Sequence, residues 1–224
     1  MNKDKRVTVF AGHYGSGKTN IAINYALSIK TEQNHVAIAD LDIVNPYFRT
    51  KDSEEMLEKN NIRLISSPYA NTNVDVPALP AEAYSILDNP DLYSIVDVGG
   101  DDRGALALGR YRESILLEDN FNMYFVINKY RPLTQGTDDT IEVMREIEKA
   151  AGMKFTGIIN NSNLGEETTA DDILSSVSYA EQISKKTGLE IAYTTVLYKF
   201  KEELEGKIKN LMPIKIYVKQ SFTF

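Results

Sequence analysis

The amino-acid sequence predicts an α/β protein, a three-layer sandwich around a mostly parallel sheet of about seven to eight strands. Two features predict it. Short β-branched or apolar runs alternate with longer segments of helical period along most of the 224 residues, the pattern of repeated strand–helix–strand units. A glycine-rich turn, GHYGSGKT, also joins the first such run, VTVFA, to the first helical pattern, NIAINYALSIK, as a parallel sheet's strand-to-helix connection requires.

Strands are expected at 6–11, 35–39, 62–65, 92–98, 122–128, 155–160, 191–196 and 214–219, where Val, Ile, Tyr and Phe cluster. Helices are expected between them at 18–30, 53–60, 80–87, 104–117, 137–151, 170–187 and 201–209. Pro80 suits a first helical turn, where its missing N–H is not needed, and Gly152 and Gly188 suit helix ends. The final segment, MPIKIYVKQSFTF, alternates like an edge strand and lacks the basic amphipathic helix of a membrane-docking tail. One connection is long. SSPYANTNVDVPAL, at 66–79, has no period, and its composition fits a binding loop and an ordinary surface loop equally.

A single nucleotide-binding domain over 1–224 is expected, since one sheet covered on both faces absorbs this length. With 42% apolar and 25% charged residues the composition is that of an ordered globular protein. The net charge of −7 and a pI near 5.0 oppose sequence-independent nucleic-acid binding, and no basic run outweighs them. Lack of cysteine excludes disulfides, thiolate zinc sites and a cysteine-held iron–sulfur cluster from this chain. No secretory signal or integral membrane segment is visible, so a cytoplasmic protein is expected.

GHYGSGKT fits G-x-x-x-x-G-K-[ST], the phosphate-binding loop of P-loop NTPases. Glycines let successive N–H groups face phosphate oxygens, and the following helix adds its positive end. Gly12, His13, Tyr14, Gly15, Ser16, Gly17, Lys18, Thr19 and Asn20 are therefore the expected nucleotide-binding stretch. Lys18 would bring charge to the β and γ phosphates, and Thr19 a hydroxyl to Mg²⁺. The glycines do not follow the G-x-G-x-x-G spacing of a dinucleotide site.

In an open parallel sheet the ligand lies beyond the carboxyl ends of the strands. Acidic residues at other strand ends can then share the metal site. HVAIADLDIVNPYF ends a strand at Asp40 and places Asp42 two residues on, on the same side; LYSIVDVGGDDRG ends another at Asp97. Asp40 and Asp97 are expected at the Mg²⁺ site, with helix capping as the alternative. Gly99 and Gly100 would let the backbone approach the γ-phosphate and move when it leaves.

These segments resemble the MinD/ParA group of P-loop ATPases across most of the chain. ADLDIVNPYFR is similar to that group's first switch and DVGGDDRG to its second. The resemblance implies ATP and Mg²⁺ as cofactors and an ATP-dependent homodimer. It implies Asp42 and Asp101 as residues that position or activate the attacking water, and it matches Asn161, in GIINNSN, to an asparagine that contacts adenine. Many members carry a second lysine where this chain has His13, followed by Tyr14. His13 is read either as a group that meets phosphate or as a plain loop residue.

Three functions use this loop. The first is a slow ATPase that acts as a switch on a protein partner. The second is an ATP-dependent ligase or synthetase that activates a small carboxylic acid, as dethiobiotin synthetase and cobyrinate synthase relatives do. The third is a module that binds nucleotide without cleaving it. No N-K-x-D guanine motif is present; NKYR at Asn128 lacks the aspartate.

Overall fold

Alternation along β1 (Val7–Ala11) sets the layering. Val7, Val9 and Ala11 face one side of the sheet and Phe10 the other. The computed structural model describes residues 5–42, 54–65, 89–100, 102–118 and 120–218. Within them an eight-stranded sheet runs β3-β2-β4-β1-β5-β6-β7-β8, every pairing parallel. The other strands are β2 (His35–Leu41), β3 (Ile62–Ile65), β4 (Leu92–Val98), β5 (Phe121–Ile127), β6 (Gly157–Asn160), β7 (Ile191–Leu197) and β8 (Leu211–Ile214). The central strands are almost wholly buried, because helices cover both faces.

Helix α1 (Lys18–Ile29) and α2 (Glu54–Lys59) cover one face, burying Ile21, Tyr25 and Leu57 against Phe10, Ile38 and Ile95. On the other face lie α3 (Asp102–Gly109), α4 (Arg112–Glu118), α5 (Thr137–Ala151) and α6 (Ala170–Thr187). They set Leu108, Ile115, Ile141 and Ile183 against Val9, Phe125 and Ile158. A capping box joins Thr169 and Asp172 at the start of α6, and Gly152 and Gly188 end α5 and α6 with φ of 65° and 76°.

Three elements depart from the sequence reading. The helix expected at 104–117 is two helices that meet at a tight turn, where Tyr111 is buried and Gly109 lies against α5. The helix expected at 201–209 ends early: α7 (Lys201–Leu204) gives way to left-handed backbone at Gly206 and Asn210. The last strand lies at Leu211–Ile214 instead of 214–219, since an edge strand tolerates Pro213.

The expected strand's own residues go elsewhere. Asn24 both donates to the Lys215 carbonyl and accepts from its N–H (2.8 and 2.9 Å), and Asn20 does the same with Val218 (2.9 and 3.0 Å) while also accepting from Tyr217 N–H. One helical turn separates these asparagines, so together they satisfy the backbone of an extended segment along α1. Val218 is buried among the side chains of that face. The expected helix at 80–87, the loop at 66–79 and residues 219–224 lie outside the described residues.

Candidate phosphate and metal site

The phosphate loop leaves β1 at the middle of the sheet, where successive connections diverge to opposite sides. A Cβ on Gly12 would stand 2.3 Å from the Val126 carbonyl oxygen of β5, so only glycine fits there. Gly15 and Gly17 take φ of 75° and 88°, conformations that strain any other residue. α1 then begins at Lys18 with no side-chain cap and no acid in its first turn. Its positive end, with no side-chain cap, is suited to an anion.

Lys18 is 7% exposed and folds back over the loop, donating to the His13 carbonyl at 3.2 Å. Beside it, the Thr19 hydroxyl donates to Asp97 Oδ2 at 2.6 Å. The other oxygen, Asp97 Oδ1, is buried and has no hydrogen-bond partner among the described residues, as does the Ser16 hydroxyl. Burial raises the Asp97 pKa to about 6, against the opposing pull of Lys18 and Thr19, and Asp42 pushes it further up.

A buried orphan carboxylate oxygen next to a threonine hydroxyl fits a hydrated Mg²⁺, whose waters are donors. No group of three His, Cys, Asp or Glu among the described residues could hold a metal alone. A metal here would be completed by phosphate oxygens and water. The residues that would hold it are Thr19 and Asp97.

Register places Asp40 and Asp97 opposite each other on adjacent strands, because β2 runs two residues beyond its expected end. Asp40 is buried, and its Oδ1 accepts from the Asp42 N–H at 3.0 Å, turning the chain at the strand end. A Cβ on Gly99 would lie 3.2 Å from Asp42 Oδ1, and one on Gly100 would lie 2.5 Å from the Tyr14 Cα. The loops after β1, β2 and β4 therefore converge with no space to spare. Asp101 lies outside the described residues.

His13 Nδ1 contacts the Tyr14 carbonyl at 3.0 Å. A carbonyl only accepts, so this nitrogen carries the proton and Nε2 is left an acceptor. Burial lowers the His13 pKa despite that hydrogen bond, and the charges of Lys18 and Arg131 lower it further.

Asn161 is buried and turned onto the loop. Its Nδ2 donates to the Ser16 carbonyl at 2.6 Å and its Oδ1 accepts from the Thr195 hydroxyl. A Cβ on Gly17 would overlap that Nδ2. Asn161 thus braces the loop, and Asn20 holds the 217–218 backbone. The sequence reading did not include Arg131, which donates from Nε to the Gly15 carbonyl at 2.9 Å. Its only signal was its place in NKYR, directly after β5.

No protein-family model and no curated protein matches the chain. Similar solved structures include chloroplast FtsY from Physcomitrella patens, with 16% identity over 87% of this chain and 59% of that one and a TM-score of 0.58. FtsY from Thermotoga maritima is 22% identical over 85% of this chain and 61% of that one, at a TM-score of 0.55. The signal recognition particle receptor FtsY from Elizabethkingia anophelis, solved with GDP, is 16% identical over 88% and 58%, at 0.54. The chain thus spans about three-fifths of the length of each, at shares of 59%, 61% and 58%. At these identities the likeness is one of fold, and the chain has the α/β sandwich of a P-loop NTPase, with an eight-stranded parallel sheet and the phosphate loop after its central strand β1.

Proposed function

We propose that this chain is a single nucleotide-binding domain, related to the MinD/ParA group, that binds ATP with Mg²⁺ and hydrolyses it as a cytoplasmic switch on a protein partner. The observation that carries the reading is the hydrogen bond of Thr19 to the buried Asp97, whose other carboxylate oxygen is unpartnered among the described residues beside Lys18. Thr19 and Asp97 would hold Mg²⁺, which would supply positive charge to offset that developing on the phosphates during transfer.

Lys18 swings from the His13 carbonyl to the β and γ phosphates, while the N–H groups of α1's first turn hold the β phosphate. Asp42, with Asp101, orients a water in line with the γ phosphorus. The water oxygen bonds to phosphorus as the bond to the β–γ bridging oxygen breaks, leaving ADP and inorganic phosphate, which takes up the water's proton. Because Gly100 meets Tyr14 and Gly99 meets Asp42, loss of the γ phosphate alters the packing of all three loops.

ATP rather than GTP is supported by the MinD/ParA resemblance and by the missing N-K-x-D motif; a similar structure solved with GDP supports the guanine alternative. Turnover of both nucleotides by wild type, Lys18→Ala and Asp42→Asn tests these assignments. Lys18→Ala is expected to lose binding or turnover, and Asp42→Asn to slow hydrolysis at least roughly tenfold with little loss of affinity. Wild-type turnover in both variants would overturn the roles, and turnover of GTP alone would overturn the choice of base.

A further inference from the structure

The apex of the phosphate loop is held from outside by a residue to which nothing so far gives a role. Arg131 follows β5 in a turn that is tightly built. Asn128, fully buried, accepts from the Tyr130 N–H at 3.0 Å, and the Thr134 hydroxyl donates to the Asn128 carbonyl at 2.6 Å. Tyr130 donates to the Asp172 carbonyl of α6, and Pro132 opens a short 3-10 turn directly after Arg131. The arginine thus projects from a rigid base.

Its Nε donates to the Gly15 carbonyl at 2.9 Å, and its side chain lies 3.3 Å from where a Gly15 Cβ would be. On the other side of the same peptide, the Ser16 N–H donates to the His13 carbonyl at 3.1 Å. The Gly15–Ser16 peptide is therefore locked at both ends, which fixes the positive φ of Gly15. One residue on, Asn161 holds the next carbonyl, that of Ser16. Arg131 is half-buried, and its charge acts on both His13 and Tyr14.

We propose that Arg131 is a positioning residue for the nucleotide phosphates: it holds the loop apex in its phosphate-accepting shape before the ligand arrives and adds a fixed positive charge there. A loop ordered in advance loses less entropy on binding, and a poorly solvated guanidinium raises the local attraction for anions. This rests on the nucleotide-binding reading above. It differs from a purely structural role because its effect is confined to phosphate-bearing ligands.

The test measures dissociation constants of wild type, Arg131→Gln and Arg131→Lys for Mg²⁺–ATP and for inorganic pyrophosphate, with melting temperatures alongside. Arg131→Gln is expected to weaken both probes about tenfold, and Arg131→Lys, which keeps the charge but not the planar fork, about threefold. Wild-type affinity for both probes in a folded Arg131→Gln protein overturns the inference, and so does weakening of ATP with pyrophosphate unchanged. Should Arg131→Gln fail to fold, wild-type affinity in Arg131→Lys overturns it. If wild type itself binds neither probe, the nucleotide reading fails and takes this inference with it; binding by wild type with unchanged variants overturns the inference alone.

Discussion

Asp97 illustrates how function is placed against stability at a single residue. It sits at 2% exposure with one oxygen unpartnered, and burial lifts its pKa to about 6. At pH 7 the nucleotide-free protein therefore carries a buried carboxylate that the unfolded chain would solvate freely. Asp97→Asn removes that charge while keeping the shape. It is expected to raise the stability of the nucleotide-free protein by about 1–3 kcal/mol at pH 7 and to weaken Mg²⁺-dependent nucleotide binding. Paired thermal melts and titrations check both halves, and a lower melting temperature with unchanged binding would contradict them.

The residues of this site were legible in sequence to different depths. Gly12, Lys18 and Thr19 stand out because phosphate chemistry dictates their type and spacing, and Asp40 and Asp97 because a strand-terminal acid is conspicuous after apolar residues. Arg131 does not, since nothing in NKYR says that its side chain reaches Gly15, 116 residues away along the chain. Both side-chain polar atoms of Asn161 serve the loop and Thr195, pairings that only tertiary structure creates.

At the scale of elements, the ends of the sheet are tied by polar anchors whose removal should be measurable. Arg6, buried just before β1, donates to both Glu118 oxygens at the end of α4 and to the carbonyls of Asn89 and Leu92 at the start of β4. The hydrogen bond and charge of Arg6 hold the Glu118 pKa below its ordinary value. A carboxylate with a depressed folded pKa contributes stability above its unfolded pKa and loses it as pH falls through the folded one. Glu118→Gln should therefore destabilise the protein at pH 7, with the difference from wild type shrinking below about pH 4. Denaturant melts at the two pH values check this, and an equal deficit at both would contradict it.

Asn20 belongs to the same scale. Because it satisfies three backbone groups of residues 217–218, Asn20→Ala is expected to cost about 1–3 kcal/mol of stability. A denaturant midpoint equal to that of wild type would show the clip to be dispensable. Helices with caps and clear periods, such as α5 and α6, were predicted to the residue. The segment 215–218 was not: an alternating pattern does not name its partner, and here the backbone is held by Asn20 and Asn24 of α1, with Val218 buried and Ile216 half exposed.

For the molecule as a whole, the sheet order brings the loops after β1, β2 and β4 together at the carboxyl ends of the strands, because β1, β4 and β2 are successive neighbours. Fold class, and the expectation that a ligand lies beyond the carboxyl ends of the strands, follow from the strand–helix alternation. Strand order itself was not legible, since it depends on long-range pairing that local patterns do not encode. The most direct test of the central claim is calorimetric titration of ATP into the protein with Mg²⁺ and again with EDTA. Binding of one nucleotide per chain that weakens by an order of magnitude or more without the metal is expected; absence of binding under both conditions would contradict the account.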